Sequence, residues 1–114
     1  GAFERDAENI AQVQAIVLLG TKAAPMGLKV CSFCGFASCE EMKAKGGLCA
    51  YNSGDLGIAV GSAVSVAADC RVDNRIMYTI GLAAVRLGIL GDDVPVALGI
   101  PLWVGGKNVF FDRR

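Results

Sequence analysis

The sequence predicts a small α/β domain of the α+β type, with two or three strands covered by two apolar helices. Two continuous apolar runs suit buried strands, one at Ala15–Leu19 and one at Val94–Ile100. Two longer segments between them have the apolar spacing of helices. At 114 residues the chain is long enough for one domain, spanning 1–114. Because two or three strands make a small sheet, we expect either a longer protein, of which this is the C-terminal part, or a second subunit that completes the layer.

The composition argues against several classes of function. The charges balance at 11 basic and 11 acidic residues, whereas nucleic-acid and membrane-surface binders need a basic excess. There is no histidine, which excludes Ser-His-Asp and Cys-His catalysis and mixed cysteine–histidine zinc sites. Cysteine and carboxylate are left as metal ligands, and we expect no nucleic-acid partner.

Neither a membrane span nor a signal peptide is predicted. The longest apolar run, 57–68, is interrupted by Ser62 and Ser65 and is too short for a bilayer core of about 30 Å. The first ten residues are charged where a signal peptide needs an apolar core. We therefore expect a cytoplasmic protein with no membrane partner, in which the five cysteines are metal ligands or free thiols rather than disulfides.

The chain begins with a predicted helix and strand. Residues Phe3–Gln14 are polar, with apolar positions spaced to line one face of a short helix. These apolar positions are Phe3, Ala7, Ile10 and Ala11. The buried strand Ala15–Leu19 follows and is closed by Gly20, after which residues 21–30 form a loop that leads into the cysteine segment.

Four cysteines between residues 31 and 49 have the spacing C-x2-C-x4-C-x9-C and are the candidate ligands of an iron–sulfur cluster. They are Cys31, Cys34, Cys39 and Cys49. A cluster needs thiolates that converge from several directions, which suits a close pair, a third cysteine after a glycine turn and a fourth after a short helix. Phe33 and Phe36 are placed to screen the cluster from water.

A short helix is predicted between the third and fourth cysteines. Residues 40–45 have a helix-forming composition, with acidic residues in the first turn and lysines in the last, and Gly46-Gly47 ends it. Its N-terminus would favour a thiolate at Cys39.

Zinc is the leading alternative, although a four-cysteine zinc site normally uses two C-x2-C pairs and the second pair here is split by nine residues. Disulfides or merely buried cysteines are a third interpretation. Cys70 stands apart from the other four and is predicted to be an ordinary semi-buried thiol.

The second half of the chain predicts two helices and two strands. The first helix, Leu56–Asp69, follows a loop at 50–55 in which Ser53 or Asp55 provides the N-cap. Its glycines, Gly57 and Gly61, indicate close approach of another backbone, inside the domain in preference to a dimer seam.

The second helix is predicted from Asn74 to about Leu87, with Asp73 as N-cap and Gly88 at the C-terminal cap. Its predicted apolar face consists of Ile76, Ile80, Ala83, Ala84 and Leu87. After the strand Val94–Ile100, Pro101 is expected to redirect the chain, and 108–111 to form a short last strand. Trp103 is predicted to serve in packing.

The segment CSFCGFASCEEMKAKGGLC resembles the iron–sulfur module of electron-transfer subunits of anaerobic reductase complexes and of corrinoid iron–sulfur proteins. That resemblance implies a [4Fe-4S] cluster on the same four cysteines, although the last spacing is shorter here. Over nearly its whole length the chain also resembles a family from anaerobes known as uncharacterised proteins containing a ferredoxin domain. The stretches that carry this likeness are RDAENI, AIVLLGTK, the cysteine module, DLGIAVGSAV, VDNRIMY, LGIPLWVGGKN and FFDR.

A pattern likeness to flavin-dependent nitroreductases lies in the order helix, helix, strand after the fourth cysteine. It implies FMN at a homodimer interface. Three functions therefore stay open: an electron-transfer protein with one [4Fe-4S] cluster and a redox protein partner, a nitroreductase-like flavin oxidoreductase fed by the cluster, and a zinc-stabilised interaction module. A homo-oligomer is expected, and whether the chain is an enzyme is left open.

Overall fold

Four helices and a three-stranded antiparallel sheet make up residues 1–111, the part of the chain that the computed structural model describes. The elements in chain order are α1 (Ala2–Ile10), β1 (Ala15–Thr21), α2 (Cys39–Ala44), α3 (Ala50–Asp69), β2 (Asp73–Asn74), α4 (Tyr78–Arg86) and β3 (Val96–Trp103). The predicted α+β class is confirmed. The end of the FFDR stretch lies outside the described residues.

The sheet has the order β1-β3-β2, so β3 is central and β1 is an edge strand. β1 pairs with β3 along its whole length, from Ala15 opposite Leu102 to Thr21 opposite Val96. No residue of β1 is fully buried, which corrects the prediction of a buried strand there. The prediction treated an apolar run as evidence of two covered faces, but an edge strand within the described part has a neighbour on one side only.

Pro101 lies within the central strand instead of redirecting the chain, and its side chain is fully buried. The N–H of Gly99 donates to Met77, and every second residue of a strand points its N–H to the same side. The nitrogen of Pro101 therefore points to the β2 side of the strand, at a position between the Met77–Gly99 bridge and the two residue pairs of β2. A proline is tolerated there because no ladder hydrogen bond is required of it.

Helices α3 and α4 cover the sheet, as predicted. Ile100 of β3 packs against Leu56 and Val60 of α3 and forms the centre of the core. Gly99, the residue before Ile100 in the strand, lies against Ile80 of α4. Since successive side chains of a strand point to opposite faces, α3 and α4 pack on opposite sides of β3.

Helix α1 is shorter than predicted and turns a different face inward. It ends at Ile10 rather than at Gln14, and Phe3 is 49 % exposed, packing edge-to-face on Tyr78. The buried residue of α1 is Asp6. The apolar spacing was misleading here because the inward position carries a carboxylate, which accepts a hydrogen bond from Thr79 of α4.

Helix α3 begins at Ala50, so the loop predicted at 50–55 is helical, and neither Ser53 nor Asp55 is the N-cap. A methyl group added at Gly57 or Gly61 would meet nothing within 4 Å. The preferred prediction of close packing inside the domain is therefore wrong for both glycines. Among helices of the described residues, none has both the length and the apolar character that crossing a bilayer requires.

The chain after α3 also departs from prediction in three places. Asp73 is not an N-cap, since it pairs with Trp103 in β2, and α4 starts at Tyr78. The predicted strand at 108–111 is a turn, because the Asn108 side chain accepts a hydrogen bond from the Phe110 N–H at 3.0 Å. Of the apolar face predicted for this helix, Ile76 and Leu87 are exposed and Ala84 is buried. Gly88 has a φ of 69°, as a residue just past a helix C-cap requires.

Candidate metal centre

A tight turn holds the first two cysteines near each other. The N–H of Gly35 donates to the carbonyl of Ser32 at 3.0 Å, and this turn contains Cys34 and directly follows Cys31. Ser32 and Gly35 both have positive φ, at 53° and 90°. Glycine adopts such a φ without steric cost, which explains its place directly after the second cysteine.

The third cysteine is fixed by the cap of α2. The Ser38 side chain accepts the Glu41 N–H at 3.1 Å, and the Glu41 carboxylate accepts the Ala37 N–H at 3.1 Å. The cap therefore orders the chain on both sides of Cys39, the first residue of α2. The capping role of Ser38 and Glu41 was not predicted from the sequence, although the pattern Ser-x-x-Glu ahead of a helix is a recognisable signal.

The fourth cysteine, Cys49, is the N-cap residue of α3 and is buried, with 8 % of its surface exposed. The backbone N–H of Met26 donates to its sulfur and lowers the pKa of the thiol, whereas burial raises it. The N–H groups of Asn52 and Tyr51 lower the pKa further, and the Asp55 carboxylate raises it. The net pKa lies below the ordinary value, so the site favours the thiolate that a metal needs.

All four predicted ligands line one cavity of about 160 Å³. A single water needs roughly a tenth of that volume, so the space accommodates a group of several atoms. The other residues that line it are Met26, Gly27, Leu28, Lys29, Ser32, Phe33, Phe36, Ala37, Ser38, Glu40, Met42, Ala50 and Tyr51. The lining is mixed, with apolar side chains beside the backbone of the turn.

Within residues 1–111, no three cysteine or acidic side chains lie close enough together to share a single metal ion. A [4Fe-4S] cluster makes a different demand, because each thiolate binds a different iron and the ligands surround a core of eight atoms. Four thiols line one cavity, with backbone N–H groups hydrogen-bonded to one of them, and they match that demand in donor type and number.

Three aromatic rings line the cavity. Phe33 and Tyr51 have ring centroids 5.4 Å apart, and Phe33 is 67 % exposed. Phe36 lies against Gly47, where a side chain would overlap both its ring and Met42. The rings therefore cover part of the cavity and leave one side open to solvent. Trp103 does not line it, and its indole N–H donates to the Lys107 carbonyl at 2.7 Å.

Cys70 belongs to a different place in the fold. It caps the C-terminus of α3, whereas Cys49 caps the N-terminus, and a helix of 20 residues separates them by about 30 Å. Its side chain is exposed, which corrects the prediction of a semi-buried thiol. Cys70 is outside the candidate site.

A family model described as uncharacterized protein containing a ferredoxin domain matches residues 45–113. The chain belongs to this family. The matched range includes Cys49 and Cys70. An uncharacterized protein of Archaeoglobus fulgidus is 45 % identical over 119 residues, an alignment that covers 97 % of this chain and 64 % of the relative. The chain thus spans just under two thirds of the length of that relative.

No solved structure matches the chain. Membership of the ferredoxin-domain family indicates an iron–sulfur protein, in agreement with the resemblance stated from the sequence.

Proposed function

We propose that this ferredoxin-domain protein binds one [4Fe-4S] cluster through Cys31, Cys34, Cys39 and Cys49 and passes single electrons to a redox protein partner. The observation that carries the proposal is the shared cavity of these four cysteines. The chain spans only part of its relative, so the activity of the whole protein is part of the proposal.

The residues of the chain have distinct tasks in this proposal. The cluster supplies the one-electron chemistry, and the four thiolates hold it. The N–H groups of Met26, Tyr51 and Asn52 stabilise negative charge on the Cys49 sulfur, which is greatest after reduction. The open side of the cavity beside Phe33 supports electron exchange with a docked protein, because transfer needs the cluster near the surface.

Replacing ligands one at a time tests the proposal. Anaerobic reconstitution of Cys49→Ser with iron and sulfide is expected to lose most of the broad visible absorption of the loaded wild-type chain, because one iron loses its thiolate. Cys70→Ser is the matched control and is expected to load fully, since Cys70 lies about 30 Å away along α3. Equal loading of the two variants would contradict the ligand assignment.

The alternatives make different predictions in the same samples. A zinc-stabilised module would retain zinc and show no visible absorption. The nitroreductase-like hypothesis requires FMN, and a titration in which the chain binds none would remove it. A cytoplasmic setting suits all five cysteines as free thiols, since reducing compartments keep thiols unpaired.

A homo-oligomer through α3 is the second part of the proposal. The chain exposes 7461 Å², against about 5,900 Å² for a compact monomer of its mass. Its radius of gyration of 16.4 Å also exceeds the roughly 13 Å of a compact domain of its length. The open glycines of α3, Gly57 and Gly61, lie one turn apart on its exposed side with exposed Ile58 next to them, and a second copy would cover this surface. Sedimentation is expected to find a dimer, and Gly57→Leu a monomer.

A further inference from the structure

The side chain of Asn52 clamps the loop that leads to the first cysteine. Its amide oxygen accepts the Ala24 N–H at 2.9 Å, and its amide nitrogen donates to the Ala24 carbonyl at 2.9 Å. Asn52 is buried in the first turn of α3, and Ala24 lies in the loop after β1, 28 residues earlier. One side chain thus satisfies both backbone groups of one loop residue.

This clamp lies next to a hydrogen bond of the candidate metal centre. Met26, two residues after Ala24, lines the cavity together with Cys49, and its backbone N–H is the group that most lowers the pKa of the Cys49 thiol. At its start the same loop is held by the exposed ion pair of Lys22 with Asp93, at 3.1 Å. An exposed pair of that kind contributes little, so the buried amide is the stronger anchor.

We propose that Asn52 is a positioning residue: by holding Ala24 it aims the Met26 N–H at the Cys49 sulfur and thereby sets the reduction potential of the cluster. The inference rests on the proposed function. Hydrogen bonds to cluster sulfurs stabilise the reduced form, which carries more negative charge, and so raise the potential. The backbone N–H of Asn52 also points at Cys49, but it does not depend on the side chain.

The test compares Asn52→Ala with Asn74→Ala. Asn74 also donates from its side chain to a backbone carbonyl, that of Val72 at 3.1 Å, but it lies on β2 and does not line the cavity. In the unloaded chain, amide hydrogen exchange at Ala24 and Met26 is expected to be about tenfold faster in Asn52→Ala and unchanged in Asn74→Ala. In the loaded chain, the potential of Asn52→Ala is expected to be more negative than that of the wild type, with Asn74→Ala at the wild-type value.

Each result separates the two proposals. Exchange of the Ala24 and Met26 amides at the wild-type rate in Asn52→Ala would refute the clamp. Faster exchange with an unchanged potential would reduce Asn52 to a structural residue and refute the positioning role. If the wild-type chain itself takes up no iron and sulfide, the proposed function fails, and with it any role of Asn52 toward a cluster, whatever the exchange rates are.

Discussion

Replacing Thr79 by valine is expected to remove the strongest partner of the one buried carboxylate in the described part of the chain. Asp6 of α1 is 2 % exposed, and the Thr79 hydroxyl of α4 donates to it at 2.6 Å. Arg5 donates to the other carboxylate oxygen at 2.9 Å. A hydrogen bond to a charged group contributes about 1.5–3 kcal/mol, so we expect Thr79→Val to lower the free energy of unfolding at pH 7 by about 2–3 kcal/mol.

Urea unfolding of the unloaded chain measures this loss, with an unchanged dependence on urea concentration as the sign that the native state is intact. Thr79→Ser is the matched control because it keeps the hydroxyl and loses one methyl group, at about 1 kcal/mol. A loss below about 0.5 kcal/mol for the valine variant would refute the reasoning, because a buried charged group that loses a hydrogen bond must cost more than that.

The same variant has a pH signature with a definite sign. Burial raises the pKa of Asp6, but the Thr79 hydrogen bond and the charges of Arg5 and Arg75 together outweigh it, and the net pKa lies below its usual value. A lowered pKa adds stability that is complete above the unfolded-state pKa of about 4 and is lost as the pH falls through the folded-state value. We therefore expect the difference between wild type and Thr79→Val to shrink on acidification below pH 4. An equal difference at pH 7 and in acid would contradict the assignment.

Two further predictions concern the frame around the site. Gly81→Ala is expected to lower the free energy of unfolding in urea by at least about 3 kcal/mol, because its methyl group would overlap the Ala97 carbonyl of β3. The control Ala83→Gly, on the exposed side of α4, is expected to lower it by only about 1 kcal/mol. Similar losses in the two variants would refute the close packing of α4 on β3. Ser38→Ala is expected to destabilise α2 by about 1 kcal/mol and to speed the loss of the cluster to a chelator. Loss of the cluster at the wild-type rate would show that the cap does not hold Cys39.

The parts of the fold that sequence could predict are those set by local chemistry. The short helix after Cys39 follows from its charge order and from Gly46, which has a φ of 72°. Gly88 marks the end of α4 for the same reason. The cysteine spacing predicted one site, and the structure gathers all four cysteines around one cavity.

The parts that sequence could not predict depend on tertiary partners. Asp6 looks like a surface residue until α4 supplies Thr79. Asn52 looks like a loop residue, but its partner Ala24 is 28 residues away. The helix that contains Asn52 begins at Ala50 and has Cys49 as its N-cap, a residue type that rarely provides a cap. Pro101 predicts the end of a strand from sequence alone, because the position beside β2 that requires no N–H is set by the sheet pairing.

Counting iron, acid-labile sulfide and zinc in the anaerobically reconstituted chain tests the proposed cluster most directly. Four thiolates around one cluster predict close to four irons and four sulfides per chain, with the count falling sharply in Cys49→Ser and holding in Cys70→Ser. One zinc per chain with no bound iron or sulfide would contradict the electron-transfer proposal.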